Sequence, residues 1–420
     1  MYGAPVWLVL PAVEVGPVIL DGNAEADRVW SVHGVSLTAL VRGRLACGAC
    51  TRSIDPKVAS RLGSQPFNRS AEMSGDDQDG DLRDVLEAVA SGRALGAAEA
   101  EAAFDKIMSG AASEAQMAGL LVGLRARGLQ SSEVAGGVRA LRKAMLPVSA
   151  ADPDRLVDTA GTGGGSVTTF NISTVAALVT AGAGVPVAKH GNRSFTSRCG
   201  SADVLEALSV GIELTPKRMG EVLEEAGIVF MFAPLLHPAM RHVGPVRRAL
   251  GITTIMNILG PLTNPAGARR QVIGVADPAL LDLVPGALKE LGHLRALVVH
   301  GEPGMDEVSP VGSTRVVELR DGEIRGYEVT PKELGVEPAN LEGLAGGDPD
   351  RNAQIVEAVL AGERGAARSA VVVNAAAALL VGGVAEDLEH GARLAESSID
   401  EGKAAAALER LRAATVTTGT

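Results

Sequence analysis

The chain has 420 residues, 46% of them hydrophobic but only 2% aromatic, with 39 Lys+Arg against 50 Asp+Glu for a formal charge of −11. That length allows two domains with a sizeable core, and the acidic balance argues against a general grip on nucleic acid or anionic membrane, which an excess of Lys and Arg would supply. Three cysteines exclude a disulfide framework and point to the cytosol, while no uninterrupted apolar run reaches the roughly 18 residues of a membrane helix.

Ala4 to Leu20 is apolar, but Pro5, Pro11, Pro17 and Glu14 interrupt it and no basic residue precedes it, so it does not read as a signal peptide. Residues 1–81 read as an extension and linker. Gly63–Asp81 in particular is polar, acidic and nearly free of large aliphatic side chains, too little to offset its ordering entropy. The expectation is a working chain that begins near Met73. Cys47 and Cys50 form a lone CxxC with no second pair and only His33 near, and no metal site is assigned to them.

From Leu82 the texture turns helical. Leu82, Val85, Leu86 and Val89 recur at i, i+3, i+4 and i+7 up to Ser91-Gly92, and Phe104, Ile107 and Met108 form the next stripe. Ser113 with Gln116 predicts a capping box ahead of Met117, Leu120, Leu121 and Leu124; Ser131 or Ser132 would cap a helix carrying Val134, Val138 and Leu141. Four short helices over 82–150 predict a small helical domain. After Pro147 and Pro153, short β-rich runs alternate with helical stretches: Leu156–Asp158, Val185–Ala188, Ile228–Phe232, Gln271–Val275 and Ala296–His300. This alternation predicts an α/β domain over 151–420 with a mostly parallel sheet. Thr314–Leu319 and Glu323–Val329 flank Arg320-Asp321-Gly322 as a hairpin.

Two stretches carry chemistry. In DTAGTGGGSVTTFNIST (Asp158–Thr174) a strand ending at Asp158 leads into a loop containing Gly161, Gly163, Gly164 and Gly165, and Asn171, Ser173 and Thr174 open a helix. Unobstructed backbone N–H groups and a positive helix terminus facing one point suit a phosphate. A glycine run alone is as often merely a flexible loop. The run is not a P-loop, since no Gly-Lys-Ser/Thr follows, nor a dinucleotide fingerprint. In KHGNRSFTSRCGSADVLEAL (Lys189–Leu208), Lys189, His190, Asn192 and Arg193 follow the strand Val185–Ala188. Cationic and hydrogen-bonding side chains at a strand's carboxyl end, where open α/β sheets place ligands, suit an anion clamp better than the alternative, a solvated basic loop.

Five motifs, taken in order, resemble the anthranilate phosphoribosyltransferase family: GTGGG with NIST, KHGNR with CGSADVLEAL, FAPLLHPAMRHVGPVRRALG (Phe232–Gly251), NILGPLTNP (Asn257–Pro265) and GMDE (Gly304–Glu307). The likeness spans roughly Leu82 to Arg412. It implies transfer of phosphoribose from phosphoribosyl pyrophosphate to the amine of anthranilate in tryptophan biosynthesis. It also implies the fold shared with pyrimidine nucleoside phosphorylases: a helical domain, joined by a returning segment near 235–265, beside the α/β domain, with the site in the cleft and a homodimer formed through the helical domain. By position, Gly161, Gly164, Gly165, Thr169, Asn171, Ile172, Ser173, Thr174, Lys189, Asn192, Ser197 and Ser201 fall where the family holds the phosphoribosyl donor. Gly161, Asn192, His237 and Arg247 fall at the anthranilate site, and Ser173, Asp306 and Glu307 at the Mg²⁺ positions.

Residue chemistry agrees with these roles. Adjacent carboxylates and a hydroxyl suit Mg²⁺, which would neutralise charge on departing pyrophosphate. An arylamine is already a neutral nucleophile, so no acid–base residue is assigned and the work is positioning and charge stabilisation. Arg247 offers a planar fork to the substrate carboxylate, and Lys189, Arg193 and Arg247 would act as local cations in an acidic chain. Two positions depart from the family. Gly165 followed by Ser166 stands where the motif usually reads GTGGD, removing a carboxylate near the donor, and Met240 stands where some members have an aromatic. A relative using another aminobenzoate, or a non-catalytic homologue that binds nucleic acid, are the alternatives; the charge and the complete Lys189, Asn192, Arg247, Asp306 and Glu307 set weigh against the latter.

Overall fold

The computed structural model describes residues 31–32, 35–36, 81–194 and 198–416. The chain divides into two units, Met1–Met73 and Ser74–Thr420. In the first, β1 (Ser31–Val32) and β2 (Val35–Ser36) pair antiparallel; Cys47 and Cys50 lie outside the described residues.

The second unit begins with α1 (Arg83–Ala90), α2 (Ala97–Met108), α3 (Glu114–Arg127) and α4 (Ser131–Ala144). Ser113 caps α3 reciprocally: Gln116 N–H donates to Ser113 Oγ at 3.3 Å and Ser113 N–H to Gln116 Oε1 at 3.0 Å. The expected serine cap of α4 does not form. Gln130 is the N-cap, its N–H donating to Glu133 Oε2 at 3.0 Å, while the Ser131 and Ser132 hydroxyls donate to Leu283 O (2.8 Å) and Leu95 O (2.9 Å). Glu133 decides this: fully buried, it also takes the Leu95 N–H at 2.8 Å and pairs with Arg127, so it serves three chain segments at once.

The α/β part contains β3 (Val157–Gly161), α5 (Ile172–Gly182), β4 (Val187–Gly191), α6 (Ser201–Ala207), α7 (Pro216–Ala226) and β5 (Ile228–Phe232). Three helices follow, α8 (Ala233–Leu236), α9 (Met240–Leu250) and α10 (Met256–Leu259), of which α9 packs on α2 and α3, and α10 on α4. The chain then forms β6 (Arg270–Gly274), α11 (Leu280–Glu290), β7 (Arg295–Gly301), the hairpin β8 (Thr314–Arg320) and β9 (Glu323–Val329), and four closing helices. These are α12 (Pro349–Leu360), α13 (Ala366–Gly382), α14 (Leu388–Asp400) and α15 (Lys403–Thr415).

Strand order is β5-β4-β3-β6-β7-β8-β9, parallel through β7 and antiparallel for the hairpin. Both faces are covered. Along β7, Leu297 and Val299 enter the core shared with α5 and α13, while Ala296 and Val298 enter the core shared with α11 and the helical domain. The order reverses at β3, whose neighbours are the later strands β4 on one side and β6 on the other. The crevice beyond the carboxyl ends of these strands is where such sheets take ligands.

Candidate active site

Strand pairing carries β3 three residues past Asp158, to Gly161, by registering Thr159, Ala160 and Gly161 against Val272, Ile273 and Gly274. Likewise β4 runs to Gly191, with Lys189 opposite Phe230 and His190 opposite Met231. Asp158, Lys189 and His190 therefore lie inside strands rather than at or beyond their ends, and Pro186 precedes the ladder because it has no N–H to contribute. Thr162 N–H donates to Gly274 O at 2.9 Å as the chain leaves the sheet, and the main-chain N–H groups of Gly164 and Gly165 have no partner among the described residues.

The loop after β7 lies directly on the glycine loop. Asp306 Oδ2 accepts from Gly163 N–H at 2.9 Å. A Cβ at Gly161 would stand 2.5 Å from that same oxygen, and one at Gly274 only 1.6 Å from the Asp306 carbonyl oxygen, so glycine is required for the two loops to meet. Glu307 accepts from the main chain of Ser173, at the start of α5. Burial pushes both carboxyls up, and the Asp306 charge helps bring Glu307 to about 8, against the pull of Lys189. Two desolvated carboxylates with a hydroxyl beside them fit Mg²⁺, which takes few protein oxygens and shares the rest with substrate. A Cβ at Gly165 would lie 3.0 Å from Gly304 O and 3.5 Å from Asp306 Oδ1. A carboxylate there would thus be a third negative group against the same pair. Ser166 instead fastens the loop, its hydroxyl donating to Pro303 O at 3.0 Å.

Lys189 is 4% exposed, with Nζ donating to Thr159 O at 2.5 Å and Ser173 Oγ at 3.3 Å. Burial lowers its pKa, against the opposing pull of the Asp158 and Glu307 carboxylates. Asp158 is fully buried and accepts from Asn264 Nδ2 (2.8 Å), Gln271 Nε2 (3.1 Å) and His190 N–H (3.2 Å). Sequence reading missed this hub, although Asn264 sits within the NILGPLTNP motif.

Other expected residues are placed unequally. Ile172 and Thr174 are buried, the Thr174 hydroxyl without a partner among the described residues, so only the helix terminus they belong to faces the crevice. Thr169 is half-buried. The Asn171 side chain is engaged internally, donating to Cys199 O at 3.2 Å. Ser201 Oγ donates to Asn192 O at 3.1 Å, and Asn192 Oδ1 accepts the Arg193 N–H at 2.7 Å. Ser197 lies outside the described residues. Arg193 is not a spare cation for the donor: Asp203 and Glu206 both pair with it, raising its pKa, and it stands 5.5 Å over the Phe232 ring.

Next to β4, His237 Nε2 meets His190 Nε2 at 3.1 Å. Burial lowers His237 to about 4 and, with the neighbouring ring adding to it, His190 to about 3, so the two share one proton as a neutral pair. Arg247, on α9, is half-buried, its pKa lowered by burial, and no carboxylate pairs with it among the described residues. Met240 packs against the helical-domain core.

Residues 83–145 match the helical bundle domain of the glycosyl transferase family, and residues 153–405 match its a/b domain. The anthranilate phosphoribosyltransferases of Rubrobacter xylanophilus and Agrobacterium fabrum are 51% and 48% identical over 330 and 331 residues, covering 78% and 79% of this chain and 96% of each relative. The crystal structure of the Thermus thermophilus anthranilate phosphoribosyltransferase superposes with a TM-score of 0.75 at 45% identity, over 79% of this chain and 99% of that one. The Saccharomyces cerevisiae enzyme in complex with PRPP and Mg gives 0.73 at 26% identity, over 81% and 99%. A glycine loop at the switch point, closed by a carboxylate pair on a helical-bundle and parallel-sheet scaffold, agrees with these likenesses: the chain belongs to the anthranilate phosphoribosyltransferase family, whose reaction transfers phosphoribose in tryptophan biosynthesis.

Proposed function

We propose that the crevice beyond β3, β4 and β6 holds phosphoribosyl pyrophosphate and that anthranilate enters from the side of α8 and α9. The unpartnered N–H groups of Gly164 and Gly165 and the start of α5 bind donor oxygens. Asp306, Glu307 and the Ser173 hydroxyl would hold Mg²⁺, which when bound neutralises the leaving pyrophosphate. Lys189, fixed by Thr159 and Ser173, adds a buried positive charge beside the donor loop. Arg247 takes the anthranilate carboxylate, with Asn192 and the His190–His237 pair lining the path of the amine. The C1–O bond to pyrophosphate breaks, the arylamine nitrogen bonds to C1, and the nitrogen then loses its proton to water. Every part of this is orientation and electrostatics, as suits a nucleophile that needs no prior deprotonation.

The observation that carries the reading is the Asp306–Glu307 pair set against the glycine loop by the 2.9 Å Gly163 bond. The purified chain, given the donor, Mg²⁺ and a panel of aminobenzoates, should consume anthranilate with loss of its fluorescence and release pyrophosphate. Preference for another aminobenzoate would move the acceptor assignment to the Met240 departure. No pyrophosphate release with any acceptor would overturn the reading. A homodimer in the cytoplasm goes with this function, and sedimentation of the purified chain tests the dimer.

A further inference from the structure

Two polar side chains in the closing helices are buried without belonging to any motif, and each bonds to one half of the site. Asn374 lies mid-way along α13 in the run AVVVNAAAALL, 3% exposed among valines and alanines. Its Oδ1 accepts the Val308 N–H at 2.8 Å, and its Nδ2 donates to Val308 O and Ala370 O, both at 2.9 Å. It thus grips both main-chain groups of the residue after Glu307. Asn352 on α12 is 1% exposed. Its Oδ1 accepts Gly347 N–H at 2.7 Å and its Nδ2 donates to Asn171 Oδ1 at 2.8 Å. Asn171 in turn donates to Cys199 O and receives the Cys199 thiol at 3.4 Å, joining the glycine-loop helix to the loop before α6. Phe170 N–H donating to Leu344 O at 3.0 Å adds a second tie from the same C-terminal segment.

A buried amide in an apolar helix is costly unless all its hydrogen bonds are made. Here one bond of each amide stays local, to Ala370 O and from Gly347 N–H, and the others reach the site. We propose that Asn374 and Asn352 are positioning residues, Asn374 fixing the metal carboxylates through Val308 and Asn352 fixing the donor loop through Asn171. The inference rests on the function proposed above. The C-terminal helices are then the frame that holds two loops, distant in sequence, at one spacing.

The test is a split in constants. Asn374→Ala should raise the half-saturating Mg²⁺ concentration, and Mn²⁺ dissociation followed by electron paramagnetic resonance, by roughly 10- to 100-fold, as outer-shell changes do. Asn374→Asp, which keeps the acceptor but sets a carboxylate oxygen against the Val308 and Ala370 carbonyls, should disturb the metal constant at least as much as the alanine. Asn352→Ala should raise the donor KM about tenfold at saturating Mg²⁺, the size of one charge-independent buried bond lost with its partner left unpaired. Neither should move the anthranilate KM. Variants that lower only kcat, in proportion to the folded fraction, would overturn the proposal. Should a variant fail to fold, amide exchange in the unchanged, metal-free protein decides: Val308 N–H must be as protected as the amides of β7, and rapid exchange there sinks the idea. If the unchanged chain shows no turnover, the functional reading fails, while the Mn²⁺ and exchange measurements still settle the brace.

Discussion

At the scale of single residues, charge is organised by what each group lacks. Arg193 looked in sequence like a natural donor ligand, yet its two carboxylate partners lie ten and thirteen positions further on, across the loop and on α6, and no local pattern announces them. Arg247 is the reverse case: a half-buried guanidinium with its charge uncompensated among the described residues. Burial without a partner is unfavourable, and a planar carboxylate relieves it with a charge-assisted bond of roughly 1.5 to 3 kcal/mol. Arg247→Ala should therefore raise the anthranilate KM by about 10- to 100-fold on that basis, while the donor KM stays put. Arg247→Lys should recover only part, since it keeps the charge and loses the fork. Steady-state kinetics with each substrate varied separately checks this; equal effects on both constants would remove Arg247 from the acceptor site. The motif made Arg247 legible as a candidate, whereas its unpaired state could be seen only in the fold.

At the scale of elements, the strands and helices were legible because their apolar periods are clean, and the boundaries that moved did so through pairing. β3 and β4 extend to Gly161 and Gly191 because β6 and β5 offer ladder partners that far, which no single strand's composition reveals. The meeting of the glycine loop with the Asp306 loop was likewise invisible in sequence, since Gly274 reads as an ordinary strand end. Its role is spatial: Gly274 leaves room for the Asp306 backbone, and any side chain would begin 1.6 Å from that carbonyl oxygen. Gly274→Ala must push the Asp306 loop away from the glycine loop. A displacement near 1 Å at reacting groups can cost about 100-fold, so kcat/KM should fall at least that much while circular dichroism shows the sheet intact. Near-normal turnover would mean that the Asp306 loop reaches its working position by another path.

At the scale of the whole molecule, the helical scaffold and the family match begin in the same region: α1 starts at Arg83 and the helical-bundle match at residue 83. A chain starting at Ser74 should therefore match the full chain in its kinetic constants and melting temperature, and a large loss of either would give Met1–Met73 a part in the enzyme. The titrating groups set a broader behaviour. His190, His237 and His293 are held near 3, 4 and 3 by burial, from an unfolded value of 6.5. Below about 6.5 the unfolded chain binds protons that the folded one refuses, so their contribution is fully present above that pH and is lost as pH falls towards 3 to 4. Glu307 acts oppositely. With a folded value of about 8 against 4.5, the folded state holds the extra proton, so stability declines as pH rises from roughly 4.5 to 8. Metal-free protein should thus melt highest between these two limbs, in mildly acidic buffer. Glu307→Gln should shrink the alkaline limb to the part that the raised Asp306 carboxyl contributes and leave the acid limb, and Mg²⁺ with donor should offset the alkaline limb in the unchanged chain, because the cation replaces the proton on the pair. Melting curves from pH 5 to 8.5, with and without Mg²⁺ and donor, distinguish these effects. An alkaline limb unchanged by Glu307→Gln would show that Glu307 does not hold the extra proton.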